Sequence, residues 1–170
     1  MKPYMNKAHR NCAGFSMIEV LVAVVILAVG ILGVAGLQGT SLRNTHSAHL
    51  RSQATSIAQD MIERMRVNRD TALANANNYA VALGTAVAAP PVNCAVADCT
   101  NAQLAAFDRS QWVQAINTLP SGNGSVTINP VTRSATVIVM WDNDRTGAAG
   151  TNCGGDPQVD LTCIVLTANP

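Results

Sequence analysis

Ionisable side chains are scarce in this sequence: Asp, Glu, Lys and Arg make up 12% of its 170 residues, where a soluble domain carries about 25%. The formal net charge is only +1, so no bulk field draws the chain to nucleic acid or to an acidic membrane surface. Two Trp and two Tyr stand scattered without interleaved basic residues, which leaves nucleic-acid bases no stacking platform. His9, His46 and His49 are the three histidines, and everything beyond them lacks a general base of ordinary pKa. There is no phosphate-binding glycine loop and no His-Glu-x-x-His motif. The chain is therefore not expected to be an enzyme, and neither cofactor nor metal is expected. Proline is missing too, from Phe15 to Ala89, so nothing in that stretch forces a helix to break.

What is present is apolar and concentrated. Hydrophobic residues reach 48%, and from Met17 to Leu37 the only ionisable side chain is Glu19. Roughly 20 apolar residues cross a bilayer as a helix, and this run is long enough. Lys2, Lys7 and Arg10 precede it with no acidic residue among them, which holds that end in the cytoplasm by the positive-inside tendency. An ordinary secretory signal would be cut after the apolar run. Gly36 and Gly39 supply small residues there, so that reading stays open at this point.

The string Gly14-Phe15-Ser16-Met17-Ile18-Glu19 resembles the class III signal of type IV pilins and pseudopilins. The resemblance implies that residues 1–14 are a leader removed at the Gly14–Phe15 bond by a prepilin peptidase/N-methyltransferase, which also methylates the new amine of Phe15. Residues 15–38 then remain as a transmembrane and assembly helix, and residues 39–170 form the periplasmic part. Glu19 is costly near a membrane helix end, by up to a few kcal/mol. It either stays hydrated at the interface or, as the family implies, meets a neighbouring subunit's amino-terminus during assembly. Gly30, Gly33, Gly36 and Gly39 recur every third residue. They suit close helix packing, or a segment that loosens when the subunit leaves lipid for a fibre.

The five cysteines are Cys12, Cys94, Cys99, Cys153 and Cys163. An odd count in an exported chain points to a free or intermolecular thiol, but removal of the leader takes Cys12 away. The other four lie in polar, Gly- and Asn-rich segments, as disulfide-stapled loops do in an oxidising compartment. Proximity favours Cys94–Cys99 and Cys153–Cys163; the spacing matches paired zinc knuckles poorly.

The helical pattern continues past the apolar run. Leu50, Ala54, Ile57, Met61 and Met65 share one stripe, and Asp60 with Arg64 forms an i,i+4 pair near the opposite side. A continuous helix from about Phe15 to about Asn68 would span roughly 80 Å. His46 and His49, an i,i+3 pair without further ligands, read as solvated or subunit-facing surface. Residues 71–100, rich in Ala and Asn with Pro90-Pro91, read as loop with helical fragments. Leu104, Phe107, Trp112, Ile116 and Leu119 mark a second amphipathic helix starting near Thr100 or Asn101 and stopped by Pro120-Ser121-Gly122.

Three strands follow: Ser125–Asn129, Ala135–Trp141, and Val159–Thr167 with Val159, Leu161, Cys163 and Val165 on one face. The expected fold is α+β, type IV pilin-like, with a long N-terminal helix packed on a small antiparallel sheet. Asp142-Asn143-Asp144-Arg145-Thr146-Gly147 matches the opening of a calcium loop. The twelfth position is Cys153, where a bidentate Glu is needed, so a polar connection is the favoured reading.

Gly36-Leu37-Gln38, Asn44 to Ala48, Leu50 to Ala54, Met61 to Asn68, Leu119 to Gly122 and Val139 to Asp142 together resemble the PilV family of minor pilins. That resemblance implies a low-abundance subunit that primes pilus assembly, and so supports twitching motility and adhesion. It would sit in the bacterial inner membrane with its N-terminus cytoplasmic and its head periplasmic, and then in the fibre at its tip, with other minor pilins and the major pilin as partners and no nucleic acid. A minor pseudopilin of a type II secretion system and a tip adhesin-like module are the alternatives.

Overall fold

The computed structural model describes residues 14–170; Lys2, Lys7, Arg10 and Cys12 lie outside the described residues. Two units divide the chain, Met1–Asn44 and Thr45–Pro170. Helix α1 (Met17–Val67) contributes to both.

In the first unit α1 has no core side. Side chains from Phe15 to Leu42 are exposed all around the helix, and a window of this helix reaches a mean hydropathy of 3.0. A helix that is apolar on every side belongs in lipid or in a protein interior. The helix runs unbroken through Gly30, Gly33, Gly36 and Gly39, where an added Cβ would meet nothing within 4 Å.

In the second unit the surface of α1 narrows to a stripe. Leu50, Ala54, Ala58, Met61, Ile62 and Met65 are buried. Ile57, expected in the stripe, sits half-buried at its rim, where its carbonyl accepts from Trp112 Nε1 at 3.1 Å. Short helix α2 (Arg69–Ala74) and a 3-10 turn at Ala76–Asn78 follow. The 71–100 segment is not merely surface loop, because Ala72, Tyr79 and Val81 lie in the main core.

Helix α3 (Asn101–Ile116) starts at a capping box: the Thr100 side chain accepts from Gln103 N while Gln103 Oε1 accepts from Thr100 N. Its buried face differs from the expected one. Trp112, Ile116 and Leu119 are buried, but Ala105 and Asp108 are buried with them, and Leu104 and Phe107 are only half-buried. A small residue lets α3 approach its neighbours, and the larger side chains lie along the flank.

Strands β1 (Asn123–Asn129), β2 (Ser134–Trp141) and β3 (Thr162–Ala168) form an antiparallel sheet in the order β1-β2-β3. Ala135, Val137, Val139 and Trp141 of β2 enter the main core, with Ile164, Leu166 and Ala168 of β3 packed against it. Leu161, Cys163 and Val165 do share a face, as the alternation requires, but it is the face away from that core. Leu161 and Cys163 join Met140 and Ala148 in a small second cluster, while Val165 is exposed. Val159 is held in a turn, its N–H donating to Asp156 O at 2.9 Å, so the strand begins later than expected.

A polar hub with Asn68, Tyr79 and Asp108 buried at its centre ties these elements together. Arg64 keeps its expected i,i+4 partner, Nε donating to Asp60 Oδ2 at 2.7 Å, and also reaches inward, Nη1 donating to Asp108 Oδ1 at 2.9 Å. The other oxygen of Asp108 accepts from the Tyr79 hydroxyl at 2.7 Å. Asn68 Nδ2 donates to that hydroxyl at 3.1 Å and to Asn101 O at 2.7 Å. Every member satisfies the next, as low-dielectric surroundings demand.

Two predictions follow from this packing. A Cβ on Gly122 would lie 2.0 Å from the backbone oxygen of Ile116, so Gly122→Ala is expected to destabilise the head by about 1–3 kcal/mol. Denaturant unfolding of the full chain in detergent reads this as a lower midpoint. The second concerns Tyr79, whose hydroxyl is pushed well above its ordinary value, first by burial and then by its bond to Asp108. Stability from a raised folded-state value is complete below the unfolded pKa of about 10 and fades as pH rises through the folded value. Tyr79→Phe should cost about 1–3 kcal/mol at neutral pH and flatten the alkaline fall in stability; equal alkaline slopes in both proteins would contradict this.

Candidate functional site

The residues singled out by the signal motif stand at the head of α1. Gly14 and Phe15 precede the helix, and Phe15 is 85% exposed. Ser16 caps the helix: its Oγ accepts from Ile18 N at 3.3 Å, and its carbonyl from Glu19 N at 3.0 Å. Glu19 therefore occupies the third helical position, in the first turn. There the unpaired N–H groups and the positive end of the helix dipole favour a carboxylate by about 0.3–1 kcal/mol. This offsets part of the cost of a charge in an apolar run. The Ser16-x-x-Glu19 spacing is itself a helix-start signature, and the sequence reading passed over it.

Glu19 is exposed, with Ala23 and Leu27 following on the same row at four-residue steps. A carboxylate so placed can accept a cation from a neighbouring chain.

The other candidate residues lie in the second unit. Cys94 is joined to Cys99 and Cys153 to Cys163, each with a Cα–Cα distance of 5.6 Å. His46 and His49 are exposed. Among the described residues no group of three His, Cys, Asp or Glu side chains is arranged to hold a metal.

Asp142 opens the calcium-like string but spends both oxygens on its own loop. Oδ1 accepts from Thr146 N at 3.1 Å and Oδ2 from Gly147 N at 2.8 Å. Gly147 has φ +84°, the left-handed conformation that glycine adopts without strain. Asp142 thus organises the turn after β2.

A cleft of about 530 Å³ lies between the end of α3, the start of β1 and residues 147–149. Its polar side chains are Thr85, Asn117, Ser121 and Asn123, which include neither a general base nor an activated nucleophile.

The comparisons with known proteins agree with this geometry. A family model described as type IV pilin Tt1218 matches residues 36–110, and the prokaryotic N-terminal methylation motif matches residues 9–35. The second match contains Gly14, Phe15 and Glu19, and the motif implies processing by a prepilin peptidase. No curated protein and no solved structure matches the chain. With the two matched stretches adjoining, and a long apolar N-terminal helix followed by a small antiparallel α+β head, the chain belongs to the type IV pilins and carries their class III signal.

Proposed function

We propose that this pilin is a minor subunit of a type IV pilus, cut between Gly14 and Phe15, methylated on Phe15, and recruited into the fibre through Glu19. The observation that carries this reading is the first turn of α1, where an exposed carboxylate follows a capped helix start within an otherwise apolar, uncovered helix. In a fibre interior, where water is excluded, Glu19 would pair with the amino-terminus of a neighbouring subunit. Such a pair sets register more than it adds net stability.

The minor-pilin assignment draws on the PilV-like residues between Gly36 and Asn68. In this reading the subunit joins other minor pilins in a complex that primes assembly at the tip, and the major pilin extends the shaft. It is held in the inner membrane, N-terminus inward, until it is taken up. Twitching and adhesion depend on it through assembly.

Glu19→Ala should leave processing of the leader intact and lower incorporation into sheared fibres about tenfold or more, since stranding one charge of a buried pair costs about 3–5 kcal/mol. Normal incorporation of that variant would remove the pairing role. A deletion strain should lose twitching while secreting normally; the reverse pattern identifies a secretion-system pseudopilin.

A further inference from the structure

The two edges of the sheet are finished differently. The outer edge of β1 is covered: Val81 and Val126 exchange backbone hydrogen bonds at 3.1 and 2.9 Å, and Gly84 N donates to Asn123 Oδ1 at 2.9 Å. Because Val126 points its amide and carbonyl outward, its β2 partner Val137 directs its own toward β3, where it faces Leu166. The alternation of an antiparallel ladder then turns the backbone groups of Ile164 and Leu166 inward. Those of Cys163, Val165 and Thr167 turn outward. The close side-chain pair Thr136 and Thr167, with hydroxyls 3.1 Å apart, agrees with this phase. Among the described residues no hydrogen bond reaches the outward amides or carbonyls of these three.

An open edge of this kind is ordinarily protected by a charge, a proline or a bulge. β3 has none of these. Residues 161–168 read Leu-Thr-Cys-Ile-Val-Leu-Thr-Ala, without an ionisable side chain apart from the disulfide-bonded cysteine, and no lysine occurs after Lys7. The core face is also incomplete here, since Ile164 and Leu166 pack against the main core yet stay only half-buried.

We propose that the outer edge of β3, from Cys163 to Thr167, receives an extended, uncharged segment of another pilus subunit as a fourth strand; this rests on the pilin reading above. Donors and acceptors repeating every second residue are complementary to an extended backbone and to little else. The uncharged edge matches an uncharged strand, whose inward side chains would complete the cover over Ile164 and Leu166. A second copy of this chain is the weaker occupant. Antiparallel pairing of β3 with itself creates a two-fold axis and a closed dimer, whereas a filament needs heterologous contacts.

The test places a photocrosslinking residue at Thr167 of the full chain, in cells that make the other pilins, with Val131 as an exposed control. Val165→Pro removes only an outward donor, which an edge strand tolerates. Val165→Lys keeps the donor but adds a charge, so it serves if the proline variant folds poorly. The expected result is a Thr167 crosslink to another pilin, about tenfold above the control and lost in both variants, with processing and disulfides unchanged. A crosslink no stronger than the Val131 control, one insensitive to both variants, or one to a second copy alone overturns the inference. A chain absent from fibres that still gives a Val165-sensitive crosslink to another pilin defeats the assembly role and leaves the edge standing.

Discussion

From Met17 to Leu37 the side chains of α1 are apolar on every side of the helix apart from Glu19, and no described residue covers them. Burying one Val, Leu, Ile or Met side chain is worth about 1.5–3 kcal/mol, so this segment is not stable in water by itself. Lipid satisfies it at one stage and the packed helices of a fibre at another. The start of the helix answers that requirement. A start cap at Ser16 and a carboxylate at Glu19 give the helix one polar address, at the end where its unpaired N–H groups favour an anion.

The head solves a different problem. It is small, and its elements are joined by long irregular connections that a core of this size holds weakly. Two disulfides close the loops at 94–99 and 153–163. Within the core, Asp108 receives both Arg64 and Tyr79, while Asn68 reaches Tyr79 and the start of α3. One carboxylate thereby relates the end of α1, the 79 position and α3 to one another. Removing a single partner leaves a buried polar group unsatisfied, which makes the hub more sensitive than its few atoms imply.

Much of this was legible in the residues. The apolar run, the Leu50–Met65 stripe, the helix start at Thr100 and three strands in sequence each rest on local periodicity, which one chain displays without reference to distant parts. The hub was not legible, because its members lie far apart in sequence and their pairing is decided by tertiary packing. Nothing in the local pattern marks Asp108 as a buried partner, and Tyr79 lies in the Ala- and Asn-rich stretch that reads as loop. The inward face of β3 was obscured by Val159 and Leu161, which extend the alternation although Val159 lies in a turn closed on Asp156 and Leu161 N donates to Gly150 O ahead of the strand. At the signal everything is local: Gly14-Phe15 and the Ser16-x-x-Glu19 helix start lie within six residues, so both are written in the sequence.

In the reading proposed above, the chain is cut ahead of its apolar helix and keeps that helix for assembly. Mass spectrometry of the N-terminal peptide from the mature envelope protein tests it most directly. The expected first residue is Phe15 bearing one methyl group, with Cys12 gone and the apolar helix retained. A mature N-terminus beyond Gly36 or Gly39, with the helix removed, would contradict it.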